Sequence, residues 1–164
     1  MKQLITYCFI TLIALSSSAQ TEEHLGEDKY NYVKKDMLIL FSTKSFKDAQ
    51  KFAKQASKNL LIKTDPDLVD SITPNEEEGL TFTRTHCQDS HFEYPCYVAR
   101  GRGDDGEYIS IEYSTWINGF KDGYYIVIAA SGDKEITQPS LKKIKKVYKD
   151  AYVKQTEVYM GCIH

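Results

Sequence analysis

Long apolar runs are scarce in this 164-residue chain, and so are arginine, cysteine and tryptophan. The one extended apolar stretch, Leu4 to Leu15, is short for a bilayer span, and no other run approaches membrane length. No transmembrane anchor is therefore expected beyond the N-terminal segment. Three arginines stand against eighteen lysines, and with 23 acidic residues the formal net charge is −2. That balance gives no footing for non-specific nucleic-acid binding. Cysteine is limited to four positions. The H-C-x3-H-x4-C run of His86, Cys87, His91 and Cys96 departs from zinc-finger spacing, so no metal is expected. Spacing also supplies none of the base and orienting groups that a Cys/His nucleophile requires. A non-enzymatic chain without a cofactor is expected.

What is present begins with a targeting segment. Lys2, the apolar run, and the small residues Ser17 and Ala19 form a signal-peptide pattern over residues 1–19, cut before Gln20. Residues 20–35 are polar and acidic and read as a flexible arm. Residues 36–164 read as a single α+β domain with an insertion at 64–106. Export, periplasmic or extracellular, implies an oxidising compartment. Cys87 and Cys96 bracket a short loop and are the expected disulfide, with Cys162 a competing partner for either.

Two stretches share one outline. Met37–Lys63 runs MLILF, a polar turn, a helix-period segment and NLLIK; Tyr124–Lys154 runs YYIVIAAS, a polar turn, a helix-period segment and DAYVK. Ser45 reads as a helix N-cap, followed by Phe46, Ala49, Phe52, Ala53 and Ala56 on one face. The second helix has Pro139 near its start and Leu141, Ile144, Val147 and Tyr148 as its apolar stripe. Leu60–Ile62 and Thr81–Thr85 read as strands. Tyr97–Arg102 and Glu107–Tyr113 read as a hairpin joined by Gly103–Asp104–Asp105–Gly106. In the second arm Ile109, Ile111 and Tyr113 share one face and Tyr108, Ser110 and Glu112 the other. The expected fold is a ferredoxin-like two-layer α+β sandwich: a mainly antiparallel sheet, two helices on one face and an inserted loop or hairpin.

The stretches MLILFSTKSFKDAQKFAKQASKNLLIK and YYIVIAASGDKEITQPSLKKIKKVYKDAYVK resemble the half-repeats of the SPOR family of bacterial envelope domains. The resemblance implies a ferredoxin-like β-α-β-β-α-β fold and non-catalytic binding of peptidoglycan glycan strands on the sheet face away from the helices. The residues themselves leave a second reading open, a secreted protein-interaction module, an inhibitor or assembly factor, whose envelope protein partner meets the cysteine loop and an aromatic turn.

Binding candidates cluster around that turn. Trp116, Phe120 and Tyr113 are aromatics suited to stacking on sugar rings or to protein interfaces. Arg100 and Arg102 are planar multi-donor groups in a lysine-rich chain. The lysine stripes on both helices read as solvated faces, and Asp104–Glu107 lacks the alternating oxygen ligands of a calcium loop.

Overall fold

The computed structural model describes residues 31–161. The signal-peptide reading, most of the acidic arm and Cys162 fall outside them. The elements are β1 (Tyr32–Thr43), α1 (Phe46–Leu60), β2 (Ile72–Asn75), β3 (Gly79–Phe82), α2 (Arg84–Asp89), β4 (Gly106–Tyr113), β5 (Tyr125–Gly132), α3 (Lys134–Ile144) and β6 (Tyr152–Tyr159). Four strands form one antiparallel sheet in the order β4-β5-β1-β6. With α1 and α3 as crossovers this is a ferredoxin-like α+β sandwich. The β2–β3 hairpin is a separate two-stranded sheet within the insertion.

Both long helices lie on one face. Ala49, Ala53, Ala56 and Leu60 of α1 and Ile144 of α3 share a buried cluster with Leu38, Leu40, Ile109, Ile111, Val127 and Ala129 from the sheet. The small α1 stripe lets that helix sit close to the strands, while Phe46, Phe52 and Leu141 fill the margins. Ser45 caps α1 by accepting from the Asp48 amide at 3.3 Å, which satisfies one of the free N–H groups of the first turn. Asp133 does the same for α3 through the Ile136 amide at 3.1 Å.

Several local expectations are corrected. Leu60–Ile62 is not a strand: α1 runs through Leu60 and ends on Leu61, a left-handed residue at φ 56 that is 91% exposed. The following segment instead seals the outer edge of β4. The Ile109 amide donates to Lys63, the Asp65 amide to Ile109 and the Ile111 amide to Leu68. With that edge taken, Tyr97–Arg102 has no strand to pair with and forms no hairpin with β4. Thr81–Thr85 stops as a strand at Phe82, because Thr83 caps α2 by accepting from the His86 amide. Pro139 sits in the middle of α3, since Asp133 starts that helix five residues earlier than the proline signal implied. α3 ends at Ile144, so Val147 is 51% exposed and leaves the core. Tyr148 packs on Phe52 in its place, with ring centroids 5.4 Å apart. At the other end, β1 begins at Tyr32, inside the stretch read as an arm, because Tyr32–Ile39 pairs residue for residue with β6.

The sheet face away from the helices is also covered. Met37, Ile39, Ile126, Ile128 and Val158 project there and form a second apolar cluster with Ile117, against which Phe120 packs. Two segments roof this face. One is the 114–124 loop, whose Asn118 and Gly119 carbonyls accept from Thr156 and Lys154 of β6. The other is a strap, residues 97–105, whose Arg100 reaches Ser110 of β4 and Ser131 of β5 and whose Gly101 lies against Met37 of β1 and Val158 of β6.

Candidate functional site

The strap is the part of the insertion that carries residues from the helix side of the sheet round to its far side. It is anchored first by the disulfide between Cys87 and Cys96. The Cys96 carbonyl then accepts from the Phe82 amide at 2.8 Å and the Thr81 hydroxyl at 2.9 Å. The disulfide takes both thiols out of any metal-binding or nucleophilic arrangement with His86 and His91.

Arg100 is the central peg of the strap. It is 2% exposed, with its guanidinium 3.5 Å from the Tyr108 ring centroid. It donates to the Ser131 and Ser110 hydroxyls at 2.8 and 3.1 Å, and to the carbonyls of Tyr108, Gly106 and Ile128 at 2.7, 2.8 and 3.3 Å. Burial pulls its pKa down, opposed by the neighbouring Tyr108 and Glu112. Its donors are spent on the protein itself, so Arg100, a binding candidate by sequence, is corrected to a structural residue. Lys35 reinforces the strap by donating to the Gly101 carbonyl at 2.6 Å and pairing with Asp105 at 2.9 Å. Gly101 is a glycine of necessity: its φ is +91, and a Cβ there would lie 3.2 Å from the Met37 methyl.

Glu112 lies beneath the strap. Tyr97 donates its hydroxyl to Glu112 Oε2 at 2.7 Å, and the Arg100 amide donates to the same oxygen at 3.3 Å. Oε1 is buried without a hydrogen-bond partner. Burial pushes the carboxyl up to about 7, against the hydrogen bonds from Tyr97 and Arg100. The Tyr97 hydroxyl is itself raised well above its ordinary value, by burial first and by Glu112 second.

Trp116 stands beside the strap at the end of a short 3-10 turn, Ser114–Trp116. The base of its loop is closed by the Ser114 amide donating to Tyr124 and the Tyr124 amide donating to the Ser114 hydroxyl, both at 2.8 Å. Ile117 and Phe120 turn inward to the far-face cluster, which leaves Trp116 facing out, 41% exposed. Its ring meets Tyr97 edge-on, with centroids 5.5 Å apart.

Two grooves meet at Trp116. The larger, about 610 Å³, runs along the disulfide loop between Phe92, Tyr94, Tyr97 and Trp116, with Glu78 and Glu93 at its sides. The smaller, about 410 Å³, lies on the far face between Trp116, Arg102, Tyr32, Tyr159 and Glu157, with Arg100 in its wall. Of the residues singled out from sequence, Trp116, Arg100 and Arg102 are thus brought together. Arg102 donates to the Gly161 carbonyl and lies 5.4 Å from the Tyr159 ring. Phe120 is elsewhere, packed under its own loop with the Lys154 ammonium 4.3 Å from its ring. Tyr113 is on the helix side, 5.3 Å from the Tyr125 ring.

Sequence reasoning missed Phe92, Tyr94, Tyr97 and Glu112. The alternation that set Tyr108, Ser110 and Glu112 on the face opposite Ile109 and Ile111 was the available signal. A polar row on a sheet face asks for either water or a polar cover, and here Tyr97 and Arg100 provide the cover. Compared with protein-family models, curated proteins and solved structures, the chain matches none of them.

Proposed function

We propose that the chain is an exported, non-catalytic binding domain of the cell envelope that holds a segment of a partner polypeptide at the surface around Trp116. The carrying observation is the position of the single tryptophan. It is held out of both apolar clusters and walls two grooves at once. Aromatic residues on concave, rigid surfaces dominate protein recognition. Here the disulfide and the Arg100 peg fix the groove walls in advance, which lowers the ordering cost of binding. A disulfide fits an oxidising compartment, and among the described residues no helix is long and apolar enough to cross a membrane.

The resemblance to SPOR domains supplies a second reading, peptidoglycan glycan on the sheet face away from the helices. Most of that face is occupied by Ile117, Phe120 and the strap, which favours the polypeptide. The smaller groove is what supports the glycan: Tyr32, Tyr159 and Trp116 offer stacking faces, and Arg102, Asn118 and Glu157 offer hydrogen bonds to hydroxyls. A photo-crosslinking amino acid placed at position 116, with a control at the exposed position 47 on α1, separates the two. A polypeptide adduct from position 116 alone, mapped to one peptide by mass spectrometry, is the expected outcome. Sedimentation with isolated sacculi that is lost after glycan digestion, with no polypeptide adduct, would transfer the function to peptidoglycan.

A further inference from the structure

The larger groove has a chemistry more specific than an aromatic surface. Four rings line it, from Phe92, Tyr94, Tyr97 and Trp116, and two carboxylates, Glu78 and Glu93, flank them. No lysine, arginine or histidine lines it. Neither Glu78 nor Glu93 takes part in an ion pair among the described residues. Both carboxylates are solvent-exposed, so they remain available to a ligand.

An aromatic wall presents its negative ring faces to a cation, tryptophan most strongly, and a nearby carboxylate adds a charge-assisted hydrogen bond. The fold already uses cation–ring contacts in several places, one of them at this wall, where the Arg84 guanidinium lies 4.1 Å from the Tyr94 ring centroid. At about 610 Å³ the groove has room for a long side chain together with the backbone that carries it. An apolar ligand would leave the two carboxylates unanswered, and an anionic one would be repelled by them.

We infer that this groove is a receptor site for a lysine or arginine side chain on the partner polypeptide, held over Trp116 and paired with Glu78 and Glu93. The inference rests on the polypeptide reading above and adds the chemistry of the anchor residue. Guanidinium matches the site best, because a planar cation both stacks on a ring and donates two parallel hydrogen bonds to a carboxylate.

The test uses the full chain and blocked heptapeptides, glycine and serine around one central residue: arginine, lysine, citrulline or glutamate. As the only tryptophan, Trp116 reports binding through its own fluorescence. The expected result is a saturable change with the arginine and lysine peptides that weakens as salt is raised. The citrulline peptide should bind at least tenfold more weakly, and the glutamate peptide should give no saturation. In E78Q/E93Q the arginine affinity should fall about tenfold while the melting temperature stays put, since both residues are exposed. Equal binding of arginine and citrulline peptides would overturn cation recognition and leave the polypeptide reading standing. So would an E78Q/E93Q double variant that binds as tightly as the parent. An absence of saturation with every peptide, alongside a crosslinked polypeptide at position 116, would likewise refute the cationic anchor without touching the broader reading.

Discussion

The Tyr97 hydroxyl donates a 2.7 Å hydrogen bond to Glu112 while the same ring meets Trp116 edge-on. A buried carboxyl is thereby coupled, through one aromatic side chain, to the wall shared by both grooves.

The first prediction concerns pH. Glu112 has a folded-state pKa of about 7 against an ordinary glutamate value of 4.5. Between those values the folded state binds the proton more tightly than the unfolded chain. The stability this supplies is complete below pH 4.5 and is lost as the pH rises through 7, on the order of 3 kcal/mol in all. Glu112→Gln removes the titration. Urea unfolding at pH 4.5 and pH 8 should show the variant gaining on the parent by about that amount at the higher pH. A difference that does not change with pH would mean that Glu112 titrates as a solvated carboxylate.

Phe52 and Val147 make a contrasting pair. Phe52 stacks on Phe41 at 4.4 Å and meets Tyr148, so Phe52→Ala should cost about 3 kcal/mol, the low end for a phenylalanine at the margin of a core. Val147→Ala, on the exposed turn after α3, should stay within about 0.5 kcal/mol. Equal costs in chemical denaturation would mean that α3 continues past Ile144 with Val147 turned inward.

Gly101→Ala tests the strap. The left-handed φ and the approach to Met37 both resist a side chain, and a loss of more than about 1 kcal/mol is expected. The Trp116 emission maximum should shift as Tyr97 is displaced. A variant as stable as the parent, with unchanged emission, would show a strap that tolerates movement.

The disulfide gives the fourth expectation. Cys87 and Cys96 close a loop with a sequence separation of 9. Its removal by Cys87→Ala together with Cys96→Ala should cost about 2–3 kcal/mol. Thermal melting measures the loss, and non-reducing peptide mapping of the parent confirms the pair. Recovery of a Cys162-containing crosslinked peptide instead would assign the bridge to the C-terminus.

The layout of the sheet was legible because its carriers are local. The apolar runs at Met37–Phe41 and Tyr124–Ala130, the Ser45 cap and the Phe/Ala stripe of α1 each specify their element without distant partners. Leu60–Ile62 misled because a short apolar run looks alike at the end of a helix and in a strand. Only the left-handed Leu61 separates the two. Tyr97–Arg102 misled because strand pairing depends on a free edge, and the edge of β4 is claimed by residues far away in sequence. Trp116 was readable as exposed because it sits in a polar turn. Its neighbours across the groove, Phe92 and Tyr94, come from the disulfide loop, and nothing local relates that loop to the turn.

The roof over the far face also sets the order in which the molecule opens. β1 is hydrogen-bonded on both sides, by β5 and β6, and β5 by β1 and β4. Both strands are packed above and below by separate apolar clusters. Fluctuations that release a helix on one side leave the other cover in place, so amides at Leu38–Phe41 and Ile126–Ala130 become free to meet water only when both layers part together. In deuterium these should be the last protons to wash out, at a rate set by global rather than local unfolding.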